Sequence, residues 1–225
     1  VNGELESNGA VSLSRQELIW WAGIILLIGG LLGAGLVHLL QPARPGGAVP
    51  RTAPLPVLGQ VSDFSLIDSA GEPVSRDDLG GRVWVADFFF TSCAGICPMM
   101  SKRLVELQKA LAGVEEVTLV SISVDPERDT PERLRRYAKQ YGADPVRWWF
   151  LTGDKRAIFR LSQESFHLGV EDAPTEDREP DMEDVLHSSK FVLLDRDARI
   201  RGYYDGEDPA TVAQLAADIR WLLKE

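Results

Sequence analysis

Val83-Trp84-Val85-Ala86-Asp87-Phe88-Phe89-Phe90-Thr91-Ser92-Cys93-Ala94-Gly95-Ile96-Cys97-Pro98-Met99-Met100 decides how this chain folds. Residues 83–90 are β-branched and aromatic, which predicts a buried strand. The next segment has helical composition over 98–112, and Pro98 suits a first helical position, where its missing N–H is no loss. Cys93 and Cys97 are the only two cysteines of the chain, and both fall at or just before that helix start. Exposed N–H groups and the positive end of the helix dipole favour thiolate over thiol there. Thiolate is the form that binds soft metals and exchanges disulfides.

Downstream, Glu116 to Val124 reads as a second buried strand, ended by the turn Asp125-Pro126. Thr130-Pro131-Glu132 supplies a cap and a first-turn proline for a helix reaching Tyr141. Arg147 to Leu151 predicts a short strand and Lys155 to Phe166 a helix. Lys190–Leu194 and Ile200–Tyr204 form a hairpin around Asp195-Arg196-Asp197-Ala198, and Pro209 to Leu223 is a final amphipathic helix. Upstream, Asp63–Ile67 and Pro73–Val74 flank the turn Asp68-Ser69-Ala70-Gly71. The order from residue 83 onward is β-α-β-α-β-α-β-β-α. With the cysteines at the first strand-to-helix junction, it predicts an α/β, thioredoxin-like central sheet flanked by helices.

Composition divides the chain into four segments: a short polar stretch at 1–17, an apolar span at 18–40, a Pro/Gly-rich tether at 41–57 and a folded domain at 58–225. The span LIWWAGIILLIGGLLGAGLVHLL holds no Asp, Glu, Lys or Arg over its 23 residues. As a helix it reaches about 34 Å, enough for a hydrocarbon core of about 30 Å. Trp20 and Trp21 suit a headgroup interface, and the span exceeds the apolar core of a cleavable signal peptide. It is expected to be a transmembrane anchor. Arg15 before it, with Arg44 and Arg51 after it, leaves the orientation open on charge alone. The net charge of -10 and a pI near 4.9 argue against nucleic-acid binding. Residues 171–184 hold eight acids against Arg178, a net of -7. They read as a solvated loop, or more sharply as a lid or docking surface beside His187.

A Cys-x-x-x-Cys pair is compatible with a structural disulfide, but so short a closed loop adds little stability, and the helix start favours a working pair. His187, in Val185-Leu186-His187-Ser188-Ser189, is the candidate third ligand, because it precedes a strand expected to lie beside the dithiol. His38 and His167 read as structural. Met99 and Met100 read as core residues beside the motif.

From about Leu58 to Glu225 the chain resembles the Sco/SenC family of membrane-anchored copper proteins that serve cytochrome c oxidase assembly. The resemblance rests on Phe89-Phe90-Thr91-Ser92-Cys93 through Cys97-Pro98, on Ser121-Ile122-Ser123-Val124-Asp125-Pro126-Glu127-Arg128-Asp129-Thr130-Pro131, on His187-Ser188-Ser189, on the strand at 191–195 and on Gly202-Tyr203-Tyr204. It implies that Cys93, Cys97 and His187 bind copper as Cu(I) or Cu(II), with Cys93 and Cys97 also a redox pair. Two thiolates and an imidazole suit both oxidation states. It further implies a metallochaperone rather than an enzyme, held single-pass in the cytoplasmic (inner) membrane with its soluble domain on the periplasmic side. The implied partners are the copper-bearing subunit of cytochrome c oxidase and other copper chaperones. Two positions depart from the family pattern: Ala94 replaces the usual Pro, and Leu186 replaces the acidic residue that often precedes the His. Asp125 is the substitute candidate for a polar group beside the site.

Three rivals share the ground. An extracytoplasmic thiol–disulfide oxidoreductase, or a redox or copper sensor, would use the same dithiol, but it favours Cys-x-x-Cys and a cis-Pro loop where this chain has His187-Ser188-Ser189. A peroxiredoxin-like peroxidase needs Thr three residues before its Cys, where Phe90 stands. Structural zinc prefers four protein ligands, and this chain offers three.

Overall fold

The computed structural model describes residues 15–40, 53–168 and 188–225. The acidic segment 171–184, His187 and most of the tether lie outside them. The chain divides into two compact units, Val1–Pro45 and Gly46–Glu225.

In the first unit, α1 (Arg15–Leu40) is one helix of 26 residues. Ile19, Trp20, Trp21 and the apolar residues 24–28 lie exposed on it. Side chains at 31–40 are not among those described, and among the described residues no helix is long and apolar enough to cross a membrane.

The second unit is built on β1 (Gly59–Gln60), β2 (Ser65–Asp68), β3 (Pro73–Ser75), β4 (Val83–Phe89), β5 (Val117–Ser123), β6 (Trp148–Thr152), β7 (Lys190–Leu194) and β8 (Arg199–Asp205), which join in one mixed sheet. The strand order is β1-β8-β7-β4-β5-β6-β2-β3. β4, β5 and β6 run parallel, and the other neighbours are antiparallel. Crossovers between the parallel strands are made by α2 (Cys97–Ala110) and α3 (Pro131–Tyr141); α4 (Lys155–Arg160) and α5 (Thr211–Leu222) complete the α-helices of this unit among the described residues, beside a short 3-10 turn at Arg76–Leu79. The expected α/β order from β4 onward is present.

Alternation along β4 sorts the core into two halves. Val83, Val85 and Phe89 join Leu104 and Leu107 of α2, Leu134 of α3 and Ile219 of α5. Trp84, Ala86 and Phe88 face Ile158 of α4 and Leu161, on the other side. Each large apolar side chain sealed this way contributes about 1.5–3 kcal/mol. Helices thus cover both faces.

Three details differ from expectation. Cys97, not Pro98, is the first helical residue, with Ile96 as its cap. The helix expected over 155–166 changes at Leu161 into a π turn, Leu161–Ser165. That wider turn drops Phe166 between Trp84 and Phe88, with ring centroids at 6.0 and 5.2 Å, and His167 comes next with φ of 52°. The short strand β1 has no counterpart in the sequence pattern, since two residues carry no periodicity. It is held on β8 by Leu58 N–H to Ile200 O and Val61 N–H to Ala198 O. Buried Arg201 bonds the Leu55 and Pro56 carbonyls as well as Asp195 and Glu225, which fastens the start of the domain to its end.

Asp87 is the exception within β4. It lies on the α2 side of the sheet and is 2% exposed. Ser121 Oγ donates to its carboxylate at 2.6 Å, and Trp148 Nε1–H donates to Ser121 Oγ at 2.9 Å. Burial pushes the carboxyl up to about 7, against the lowering effect of the Ser121 hydroxyl. Below about pH 4 the group is protonated in the folded and unfolded chain alike. From there to about pH 7 the unfolded chain releases a proton that the folded chain keeps. Its contribution to stability therefore falls as pH rises, by about 1.4 kcal/mol per pH unit. Asp87→Asn should remove this dependence and gain on the wild type by a few kcal/mol from about pH 4 to about pH 8. Urea unfolding across that range checks it; a difference that does not change with pH would contradict it.

Candidate metal centre

The carboxyl ends of β4 and β5 carry the site. β4 ends at Phe89, and the chain turns through Phe90 to Ile96 before α2 begins at Cys97. Cys93 N–H donates to Phe90 O at 3.2 Å, closing the turn. Ile96 is already in right-handed helical conformation and has no side-chain cap on the N–H groups it leaves free. Those groups are available to a sulfur.

The two thiols are free and differ in environment. Cys93 is half-buried, whereas Cys97 is 3% exposed and belongs to the core with Met100 and Leu104. Burial raises the Cys93 thiol, but the N–H of Cys97, the Cys97 thiol and the N–H groups of Gly95 and Ile96 outweigh it, and the net shift is downward. For Cys97, burial dominates and pushes it up to about 12. The Phe90 backbone opposes this, and the neighbouring Cys93 and Asp87 reinforce it. Cys93 is thus the readier of the two to ionise, and Cys97 the readier to keep its proton. This is the division of labour that disulfide exchange needs.

Both loops at this edge are tied together by Asp129, which is fully buried. Its Oδ2 accepts from Thr91 N–H at 2.9 Å and from Ser123 Oγ at 2.6 Å; its Oδ1 accepts from Thr91 Oγ1 at 2.5 Å. Arg133 Nε stands 3.6 Å from Oδ1. Asp125, the candidate polar group beside the site, pairs with Arg128 at 3.2 Å. Asp129 and Asp87 are the polar groups that sequence reasoning passed over. A lone acid inside VWVADFFF was a signal for Asp87. Asp129 offered none, since an acid just before Thr-Pro reads as turn chemistry. Met100 is buried as expected, and Met99 is partly exposed.

His187 lies outside the described residues, but the chain next to it is placed. β7 pairs antiparallel with β4, Ala86 opposite Val192. Continued past the last pair, this register brings Ser188 level with Phe90, where the dithiol turn begins. Ser189 O accepts from Gly206 N–H at 2.6 Å, and Lys190 Nζ pairs with Asp205 at 2.9 Å. A Cβ on Gly206 would stand 2.8 Å from Ser189 O and 3.1 Å from Met100 Cγ. Gly206 is thus close both to Ser189 and to Met100 of α2. Among the described residues no group of three or more His, Cys, Asp and Glu side chains converges.

A profile of the SCO1/SenC family matches residues 57–224. The chain belongs to that family. It is 33% identical over 191 residues to the SCO1 protein homolog of Bacillus subtilis, covering 84% of this chain and 94% of that one. Among solved structures, it resembles BsSco, described by its disulfide switch and as a member of the Sco family of cytochrome c oxidase assembly proteins. That match has a TM-score of 0.65 and 32% identity, and covers 77% of this chain and 99% of BsSco. It also resembles Bradyrhizobium japonicum ScoI with copper bound, with a TM-score of 0.58 and 28% identity over 72% of this chain and 99% of that one. The α/β fold with a curled mixed sheet flanked by helices is thus that of Sco structures.

The split between the thiols has a direct readout. Iodoacetamide at about pH 8 should modify Cys93 at least about tenfold faster than Cys97, as peptide mass spectrometry of a time course would show. Equal rates, or Cys97 first, would contradict the assignment.

Proposed function

We propose that this chain is a membrane-anchored copper protein of cytochrome c oxidase assembly, with Cys93, Cys97 and His187 as its copper ligands. The observation that carries the reading is the free dithiol at the start of α2, with the Cys93 thiol lowered and the Cys97 thiol raised, in a chain of the SCO1/SenC family. The donor set fits the metal. Two sulfurs at a helix start are soft ligands, and an imidazole from the neighbouring segment would make a trigonal site for Cu(I) that also tolerates Cu(II). The relative solved with copper bound supports copper as the metal.

Copper here is cargo. On this reading Cys93 is the sulfur that ionises first, Cys97 gives up its proton when the metal is taken, and His187 would complete the donor set. The recipient on this reading is the binuclear copper site of the copper-bearing oxidase subunit. Residues 18–40 would cross the cytoplasmic membrane once and the tether 41–57 would hold the domain on its periplasmic side. The apolar span and the exposed tryptophans of α1 support that arrangement.

A second reading has one observation in its favour. The unequal thiols suit reduction of a target disulfide, with Cys93 attacking and Cys97 resolving. The chain would then reduce the oxidase cysteines before copper arrives.

Copper titration of the reduced full chain, beside His187→Ala, separates the two. One copper per chain is expected, with Cu(II) affinity down at least about tenfold in the variant while Cu(I) is retained by the sulfurs. No copper uptake, with a readily reversible Cys93–Cys97 disulfide, would overturn the copper reading in favour of the reductase.

A further inference from the structure

Asp129 occupies an unusual position for an acid beside a helix start. α3 is capped by Thr130, whose side chain accepts from Arg133 N–H, so the helix does not need Asp129. Its carboxylate instead faces the next loop, where it takes both donors of Thr91, a residue 38 positions away. A buried carboxylate is costly unless every lone pair is occupied. Here the N–H and hydroxyl of Thr91 and the hydroxyl of Ser123 donate to it, and the Arg133 cation stands 3.6 Å away. The backbone ladder reinforces the link, since Val124 N–H donates to Phe89 O at 2.9 Å and Asp129 N–H to Asp125 O at 2.8 Å.

The consequence falls on the dithiol. Cys97 is held at the other end of the turn by its burial in the core. Five residues, 92–96, join the two fixed points, and Cys93 is the second residue after the Thr91 anchor. We propose that Asp129 is a positioning residue for the Cys93–Cys97 pair: by clamping Thr91 through both its N–H and its hydroxyl, it fixes how near Cys93 is presented to Cys97. This rests on reading the two cysteines as the working pair, and not on which task they perform. Fixing one sulfur beside the other gives them a high effective concentration, which favours their disulfide and lets both reach one metal ion.

The test compares Asp129→Asn, Thr91→Val and the double variant, in the full chain, by equilibration of the dithiol with glutathione buffers. Asp129→Asn keeps the shape but brings an amide against the Thr91 donors; Thr91→Val removes only the hydroxyl and is the gentler change. Each is expected to weaken the disulfide about tenfold, a potential about 30 mV more positive. The double variant should go no further than Asp129→Asn alone, and Thr91→Ser should restore the value lost in Thr91→Val. In copper-loaded samples the thiolate-to-Cu(II) absorption should move in Asp129→Asn and Thr91→Val alike. A wild type that takes up no copper, with the potential shifts intact, would remove the copper reading and leave this role standing. Variants that unfold at lower temperature but keep the wild-type potential would overturn it, as would effects of the two substitutions that simply add.

Discussion

The turn between β4 and α2 is short, and both of its ends are fixed. One end is the last residue of a central strand, continued by the carboxylate clamp on Thr91. The other is Cys97, the first residue of a helix packed across the same sheet. A turn held this way leaves its N–H groups no helical partners, and sulfur is the acceptor at hand. The chemistry of Cys93 arises from that geometry, and so does its difference from Cys97. The same N–H groups that lower one thiol do not compensate the burial of the other.

Charge within the α2 side of the core reinforces the difference. Asp87 is reached by the Ser121 hydroxyl, which is itself reached by the Trp148 indole, so a line of polar atoms crosses β4, β5 and β6 beneath α2. The parallel register that sets Asp87 opposite Ser121 makes this line possible. An ionised carboxylate there discourages ionisation of Cys97. Stability is given up at neutral pH to keep an acid in the centre of the sheet. An apolar residue would have sealed β4 at no such cost.

Much of this was legible in the residues. Runs rich in β-branched and aromatic residues announced β4 and β5, because central strands covered on both faces show no solvent-facing polar alternation. Thr130-Pro131 marked the start of α3 to the residue, and the two hairpins were visible in their turns. The π turn was not, since Leu161 to Ser165 keeps helical composition and the wider winding answers to where Phe166 must go. Asp129 sits inside a recognisable motif that gives it no task, because its partners come from the loop after a different strand. Asp125, just past the end of β5, was the candidate visible in the sequence; it pairs with Arg128. Cys93 and Cys97 stand out by spacing and helix start alone. The assignment of His187 depends on the resemblance and on the place of Ser188 and Ser189 at the entry to β7, and it stays a proposal.

Two sulfurs and one imidazole meeting a single copper ion are the centre of the proposed function. X-ray absorption at the copper edge, on the full chain loaded with Cu(I), reads those donors directly. The expected result is a low-coordinate copper with two sulfur scatterers and one nitrogen scatterer, the nitrogen lost in His187→Ala. Copper with one sulfur or none, or a nitrogen unaffected by that substitution, would contradict the proposed site.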